Sequence, residues 1–265
     1  MNFFATSTVA VSKGQDASDS AATGLVICDG IGSLDDSGIV SNKVCELFIE
    51  FINADREGLS DQSIVDDISA QISALNIMGG TTLIYCRELE SNVVRVGYLG
   101  NGGITGLRGD FFYEKLGEKV NLYSNILLPH VDKIGALNKH ISTNSTAKNS
   151  QLSTLDMNLN SECGDILIFY SDGLGSLETQ FIADTDENGL WRSELALFQK
   201  VLEELHKSLQ IHCDLEFRSE QLGVMLKRVC TEFKDQGLLE DDISIGLLVT
   251  EKVFDYYLSK ESNND

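Results

Sequence analysis

Three apolar runs constrain this chain most, because each carries an acid at one tip. ILIFYSDG (Ile166–Gly173) runs into Asp172-Gly173, and GLVICDG (Gly24–Gly30) runs into Asp29-Gly30. DDISIGLLVT has the opposite order, with Asp241 and Asp242 directly before Ile243–Val249. A short apolar run bounded by turn residues reads as a buried strand. Turn chemistry alone explains one Asp-Gly after a strand. For two, with Asp-Asp before a third strand, metal ligation is an equal alternative. If the last strand runs antiparallel to the other two, all three acids meet on one rim of a sheet. Crowded carboxylates repel unless a cation sits between them. Hard oxygen donors with no nearby His or Cys suit Mg2+ or Mn2+ rather than zinc. The glycine after two of the acids lets backbone and ligand approach closely.

The 265 residues fit one large domain, expected over 1–258 with a disordered tail at 259–265. The net charge of −21 opposes nucleic acid and anionic membranes, whose binding needs clustered Lys and Arg. It also raises the local concentration of divalent cations. No segment approaches the roughly 20 apolar residues of a membrane span. The start, MNFFATSTVAVSKG, lacks a basic leader and a small-residue cleavage site, so no signal peptide is expected. The cysteines Cys28, Cys45, Cys86, Cys163, Cys213 and Cys230 are scattered and form no CxxC pair. They read as buried, reduced thiols of a cytoplasmic protein, not as zinc ligands or a disulfide framework.

The order of elements predicts an α+β chain. Phe4–Val11 and Gly24–Cys28 read as strands, and Thr81–Glu88 and Asn92–Leu99 as a hairpin turning at Ser91-Asn92. Gly38–Asn53 carries Val40, Val44, Leu47, Phe48 and Phe51 at helical spacing. Asp61–Leu75 does the same with Ile64, Ile68, Ile72 and Leu75, capped by Ser60 or Asp61. Ser193–Leu209 and Glu220–Lys234 are amphipathic. Hairpin strands with two separate helix pairs predict sheets covered by helices, not a βαβ repeat. Leu137–Ser153 is polar and reads as an exposed loop or flap.

A set of motifs in order covers nearly the whole chain: QDA at 15–17, VICDGIGS at 26–33, GGTTL at 79–83, VGYLGNGG at 96–103, IFYSDGLG at 168–175 and DDIS at 241–244. Together they resemble the metal-dependent serine/threonine protein phosphatases of the 2C type, the PPM family, in its compact bacterial branch. The resemblance implies a four-layer αββα sandwich, two antiparallel sheets flanked by helix pairs, with two Mn2+ or Mg2+ ions at one edge. It implies that Asp29 bridges both ions, that the Gly30 carbonyl binds one of them, and that Asp172 and Asp241 bind the other. Asp16 matches the family's acid on the first hairpin, which holds metal or metal-bound water. The implied reaction is direct hydrolysis of phosphoserine or phosphothreonine in a protein, the target of a separately encoded kinase. The attacking water is activated between two cations, with no cysteine nucleophile.

Two departures stand out. Many members carry an acid for a third, weaker metal where this chain has Asn101, and an amide is a poorer ligand for a hard cation than a carboxylate. Some place an arginine before the first acid to hold substrate phosphate; here only Lys13 is near, a point charge without the bidentate fork. These departures motivate a second reading, a degenerate phosphatase fold that binds metal or a partner without turnover. Asp242 is expected to shape the turn, and Thr81 and Thr82 to be structural. Asp35 and Asp36 are expected to be solvated. Surface roles are expected of His206 and His212, His130 is expected to stay out of the site, and Trp191 should pack a helix start.

Overall fold

The computed structural model describes residues 1–54, 59–90, 92–110, 130–144, 148–174 and 193–261. Its strands are β1 (Asn2–Val9), β2 (Ala17–Ala21), β3 (Gly24–Cys28), β4 (Gly80–Thr81), β5 (Leu83–Glu90), β6 (Val93–Leu99), β7 (Gly103–Arg108), β8 (Ile141–Ser142), β9 (Ser153–Asn158), β10 (Asp165–Tyr170) and β11 (Ile243–Thr250). The helices are α1 (Ser37–Asn53), α2 (Asp61–Ser73), α3 (Ser193–Leu209), α4 (Arg218–Asp235) and α5 (Glu251–Glu261). Two antiparallel sheets form, in the orders β1-β11-β10-β7 and β2-β3-β5-β6-β9, with a small β4-β8 pair beside them.

Strand alternation explains the continuous apolar runs. Leu25 and Ile27 of β3 face the other sheet, whereas Val26 and Cys28 face α1 and α2. Leu167 and Phe169 of β10 also point between the sheets, and Ile166, Ile168 and Tyr170 point to the far helices. Side chains of a strand alternate between faces, so a strand buried on both faces must be apolar throughout. The result is an αββα sandwich of four layers: α1 and α2, the five-stranded sheet, the four-stranded sheet, then α3, α4 and α5. On the outer side α5 contributes Val253, Phe254 and Tyr257 to the core.

α1 follows the apolar spacing seen in the sequence, with Val40, Val44, Phe48 and Phe51 buried. Ser60 is the cap of α2, accepting the Ser63 N–H at 3.1 Å. Asp61 does not cap. It is buried, accepts a hydrogen bond from the Tyr85 hydroxyl and pairs with Arg87 at 2.6 Å. All six cysteines are free, and all but the half-buried Cys213 are buried.

Three expectations need correction. Leu137–Ser153 is not uniformly an exposed loop, since β8 pairs with β4 and Ile141 is fully buried. A two-residue strand is too short to show a period. The tail does not begin at 259, because α5 runs through Glu261 on the burial of its apolar face; residues 262–265 lie outside the described residues. His206 is not simply a surface side chain: it is half-buried, with Nδ1 2.9 Å from the Tyr257 hydroxyl. His212 is exposed, as expected, whereas Ser91, Gly175 and Trp191 lie outside the described residues.

Candidate metal centre

The strand directions bring the acids together. β11 is antiparallel to both β1 and β10, with Val9 opposite Ile243 and Tyr170 opposite Ile245. The tips carrying Asp172 and Asp241 therefore share one edge of the four-stranded sheet. In the other sheet Ala17 faces Cys28, which places Asp16 and Asp29 next to each other just beyond the paired residues. The rim thus belongs to both sheets, not to one as the sequence alone suggested.

Each acid is held by its neighbours. Asp29 donates its N–H to Thr82 Oγ1 at 3.1 Å, and its carbonyl accepts from the Thr82 N–H at 2.8 Å and Thr81 Oγ1 at 2.9 Å. The two threonines are structural, as expected, and what they fix is the Asp29 backbone. A Cβ on Gly30 would lie 2.6 Å from Gln15 Cβ and Gln15 O, so only glycine lets this turn sit against Gln15-Asp16. A Cβ on Gly173 would lie 1.7 Å from Asp242 O, which locks the Asp172 turn onto the Asp241-Asp242 turn.

Ser171 was missed by sequence reasoning, although it stands inside the IFYSDG motif. Its Oγ donates to Asp16 Oδ2 at 2.8 Å and accepts the Ser244 N–H at 2.9 Å. It therefore ties a carboxylate of one sheet to two strand tips of the other.

Burial, the Ser171 contact and neighbouring acids set the charge state of the buried pair. Burial first, then the nearby Asp242, push the Asp16 carboxyl up to about 6 against the pull of Ser171 and Asp29. Burial pushes the Asp29 carboxyl well above the usual range, followed by the charges of Asp16 and Asp172 and hydrogen bonds to both. Asp172 is exposed and accepts from the Asn101 amide at 2.5 Å.

Asp241 and Asp242 differ sharply. Asp242 is buried and accepts backbone N–H groups of Val11 at 2.7 Å, Ser12 at 2.8 Å and Gln15 at 2.6 Å. Burial alone would raise its carboxyl, but these donors outweigh it and hold it below the usual range. Asp242 shapes the turn. Asp241 is exposed at the same rim and accepts from Ser12 Oγ at 2.6 Å. Lys13 is exposed and donates through Nζ to the Gly32 carbonyl. It also lines an open groove of about 960 Å3 with Asp35, Asp36, Ile39, Lys43 and Glu46. Asp36 is less solvated than expected, since Oδ2 accepts the Met78 N–H at 2.9 Å.

Among the described residues no group of three or more His, Cys, Asp and Glu side chains is set out as a ligand cage. Asp29 instead lies beside both Asp16 and Asp172, while Ser171 donates to Asp16 and Asn101 to Asp172. The donor set still fits a hard divalent cation: carboxylate oxygens from three loops, the Gly30 carbonyl on the same turn, and mutual repulsion that a cation relieves.

No family model and no curated protein sequence matches the chain. Solved structures do. The PPM Ser-Thr phosphatase MsPP from Mycobacterium smegmatis, in complex with cacodylate, matches at 15% identity over 92% of this chain and 97% of its own, with a TM-score of 0.57. The catalytic domain of the serine threonine protein phosphatase PstP, in complex with two manganese ions, matches at 15% identity over 94% and 97%, with a TM-score of 0.59. This chain has the PPM phosphatase fold. A C. elegans sex determining protein also matches, at 12% identity over 96% of this chain and 67% of its own, with a TM-score of 0.61. At such identities the PPM likeness is one of fold, and the bound ions belong to PstP. Within this PPM fold, Asp16, Asp29, Asp172 and Asp241 all lie on the rim where the two sheets meet. Among the described residues no helix is long and apolar enough to cross a membrane.

Proposed function

We propose that this chain is a cytoplasmic, Mn2+- or Mg2+-dependent phosphatase that hydrolyses phosphoserine or phosphothreonine in protein substrates. The observation that carries the reading is the Asp16–Asp29–Asp172 cluster. Three acids from separate loops are pressed together, one of them driven well above its ordinary range by burial and by the other two. Such a cluster is unfavourable as a purely structural device. Asp29, Asp16, Asp172, Asp241 and the Gly30 carbonyl would hold two ions. Bound there, the ions would supply the positive charge that acidifies water and offsets the phosphoryl oxygens. The chain's own part is positioning: Thr81 and Thr82 fix Asp29, Ser171 fixes Asp16, and Asp242 holds the 11–15 loop that carries Gln15 and Lys13 to the rim. Lys13 would meet the substrate phosphate once released from the Gly32 carbonyl. The phosphoprotein would be the product of a separately encoded kinase, and the reduced cysteines fit a cytoplasmic setting.

The second reading, a binding module without turnover, is favoured by one observation: the Asn101 amide and the Lys13 ammonium are both engaged within the chain. Turnover of a serine phosphopeptide and an aryl phosphate by pure protein, with Mn2+ and with EDTA, separates the two. Mn2+-dependent release of phosphate supports the enzyme. No release from either substrate in millimolar Mn2+, with calorimetric Mn2+ binding intact, supports the module.

A further inference from the structure

We propose that His130 is a positioning residue for Asp172, acting through the Gly100-Asn101 turn; the inference rests on Asp172 being a metal-facing carboxylate. The Gly100 N–H donates to His130 Nδ1 at 3.2 Å, and the His130 N–H donates to the Gly100 carbonyl at 2.8 Å. The ring lies flat on Tyr98, with centroids 4.6 Å apart and planes 6° from parallel. Its Nε2 is 3.0 Å from Ser153 Oγ. Because Nδ1 accepts a backbone proton, the neutral ring carries its proton on Nε2 and donates to Ser153. The imidazole is therefore clamped from three directions, and His130 in turn holds both polar atoms of Gly100, the N–H through the ring and the carbonyl through its own backbone N–H.

Gly100 has a φ of +126°, which only glycine adopts readily. That backbone swings Asn101 over the tip of β10, where its amide donates to Asp172 Oδ2 at 2.5 Å. Gly102 and Gly103 press the same turn onto Tyr170, the last residue of β10; a Cβ on either would lie within 2.6 Å of it. The path is continuous: Ser153 and Tyr98 hold His130, His130 holds Gly100, and Asn101 orients Asp172. The Asn101 amide thereby holds Oδ2 and fixes how the Asp172 carboxylate is turned toward Asp29. Partners that orient a ligand matter for affinity almost as ligands do. Asn101 is thus a donor that aims a carboxylate, not merely a site from which an acid is missing.

The test is a double-mutant cycle. Mn2+ is titrated calorimetrically into the wild type, His130→Ala, Asn101→Ala and the double variant. Each single change should weaken Mn2+ binding about ten-fold, and the double variant should bind no more weakly than the weaker single one, because the two residues act in series. A purely structural His130 would lower Tm yet leave Mn2+ affinity unchanged, or its loss would multiply with that of Asn101→Ala; either result overturns the proposal. Should His130→Ala not fold, Ser153→Ala keeps the ring and should show a smaller loss with the same non-additivity. The side-chain amide resonance of Asn101, followed by NMR in EDTA, gives a readout independent of metal. It should shift and lose exchange protection in His130→Ala or Ser153→Ala, and an unchanged resonance refutes the link. If the wild type binds no Mn2+, the phosphatase reading fails while the amide resonance still decides the role of His130.

Discussion

The Asp242 carboxylate accepts the backbone N–H of Gln15 at 2.6 Å, although the two lie 227 positions apart. Val11 and Ser12 donate to the same carboxylate. Asp241, the next residue back, receives among the described residues a hydroxyl and the Asp242 N–H and stays exposed. Adjacent acids of the same type thus have opposite surroundings, and their roles should separate on substitution.

Asp242→Ala should destabilise the protein by about 2–4 kcal/mol, since hydrogen bonds to a charged group contribute about 1.5–3 kcal/mol and backbone donors would be left buried. Asp241→Ala should change stability by less than about 0.5 kcal/mol, as for other exposed positions, yet abolish Mn2+-dependent turnover. Denaturant unfolding in EDTA and initial rates in saturating Mn2+ measure the two effects. Equal stability losses, or an active Asp241→Ala, would reverse the assignment.

Asp29→Asn should abolish turnover and raise Tm in EDTA. The substitution removes the acid that burial and its neighbours Asp16 and Asp172 make hardest to ionise, and a neutral amide relieves that repulsion. Asp172→Asn should also abolish turnover, with a smaller gain in Tm because Asp172 is exposed. Near-wild-type rates in either variant remove that residue from the site.

The acid cluster also sets a pH dependence. Asp16 titrates near 6 in the folded chain, chiefly through burial, against an ordinary 3.8. A carboxyl raised on folding contributes stability that is complete below its ordinary value and is lost as pH rises through about 6. Asp29 acts in the same direction. His130, lowered to about 4 by burial and by Lys139, acts oppositely, as do His140 and His206, so stability from these is lost as pH falls below their ordinary 6.5. Comparison with Asp16→Asn isolates the carboxyl. In EDTA, the wild type should lose Tm relative to this variant between pH 4.5 and 8, and Mn2+ should restore most of the loss at pH 8. Parallel Tm curves would mean that Asp16 titrates normally.

Much of this was legible in the chain. Runs such as Leu25–Cys28 and Ile166–Tyr170 are buried on both faces, so their strand character and their ends were visible. α1 was readable because Val40, Val44 and Phe48 recur on one face. What was not legible lacks a period. β9 is an edge strand whose residues are half-buried or exposed, and β8 has two residues. The site was legible as residue types at strand tips, but not as partnerships. Nothing local in LPH or LGNGG says that His130 meets Gly100 across 30 positions, or that Asn101 reaches Asp172 across 71. Such contacts depend on the closure of both sheets, which places Gly102 and Gly103 against Tyr170.

Asn101→Asp tests what the amide does at the rim. The change is nearly isosteric, so the turn should tolerate its shape. It replaces a donor to Asp172 with a second carboxylate at the same 2.5 Å contact, and two carboxylates at that distance repel unless a proton or a cation lies between them. In EDTA the variant should therefore have a lower Tm than the wild type at pH 8, with the difference shrinking at pH 5 as a proton is shared. In abundant Mn2+ the new acid has a partner: an extra, weak metal site should appear, and turnover should rise above wild type only at high Mn2+. At low Mn2+ turnover should fall, because Asp172 has lost the donor that aims it. The two rate curves, plotted against Mn2+ concentration, should therefore cross. Superimposable curves with equal calorimetric metal counts would show that residue 101 neither aims Asp172 nor stands where a further cation can bind.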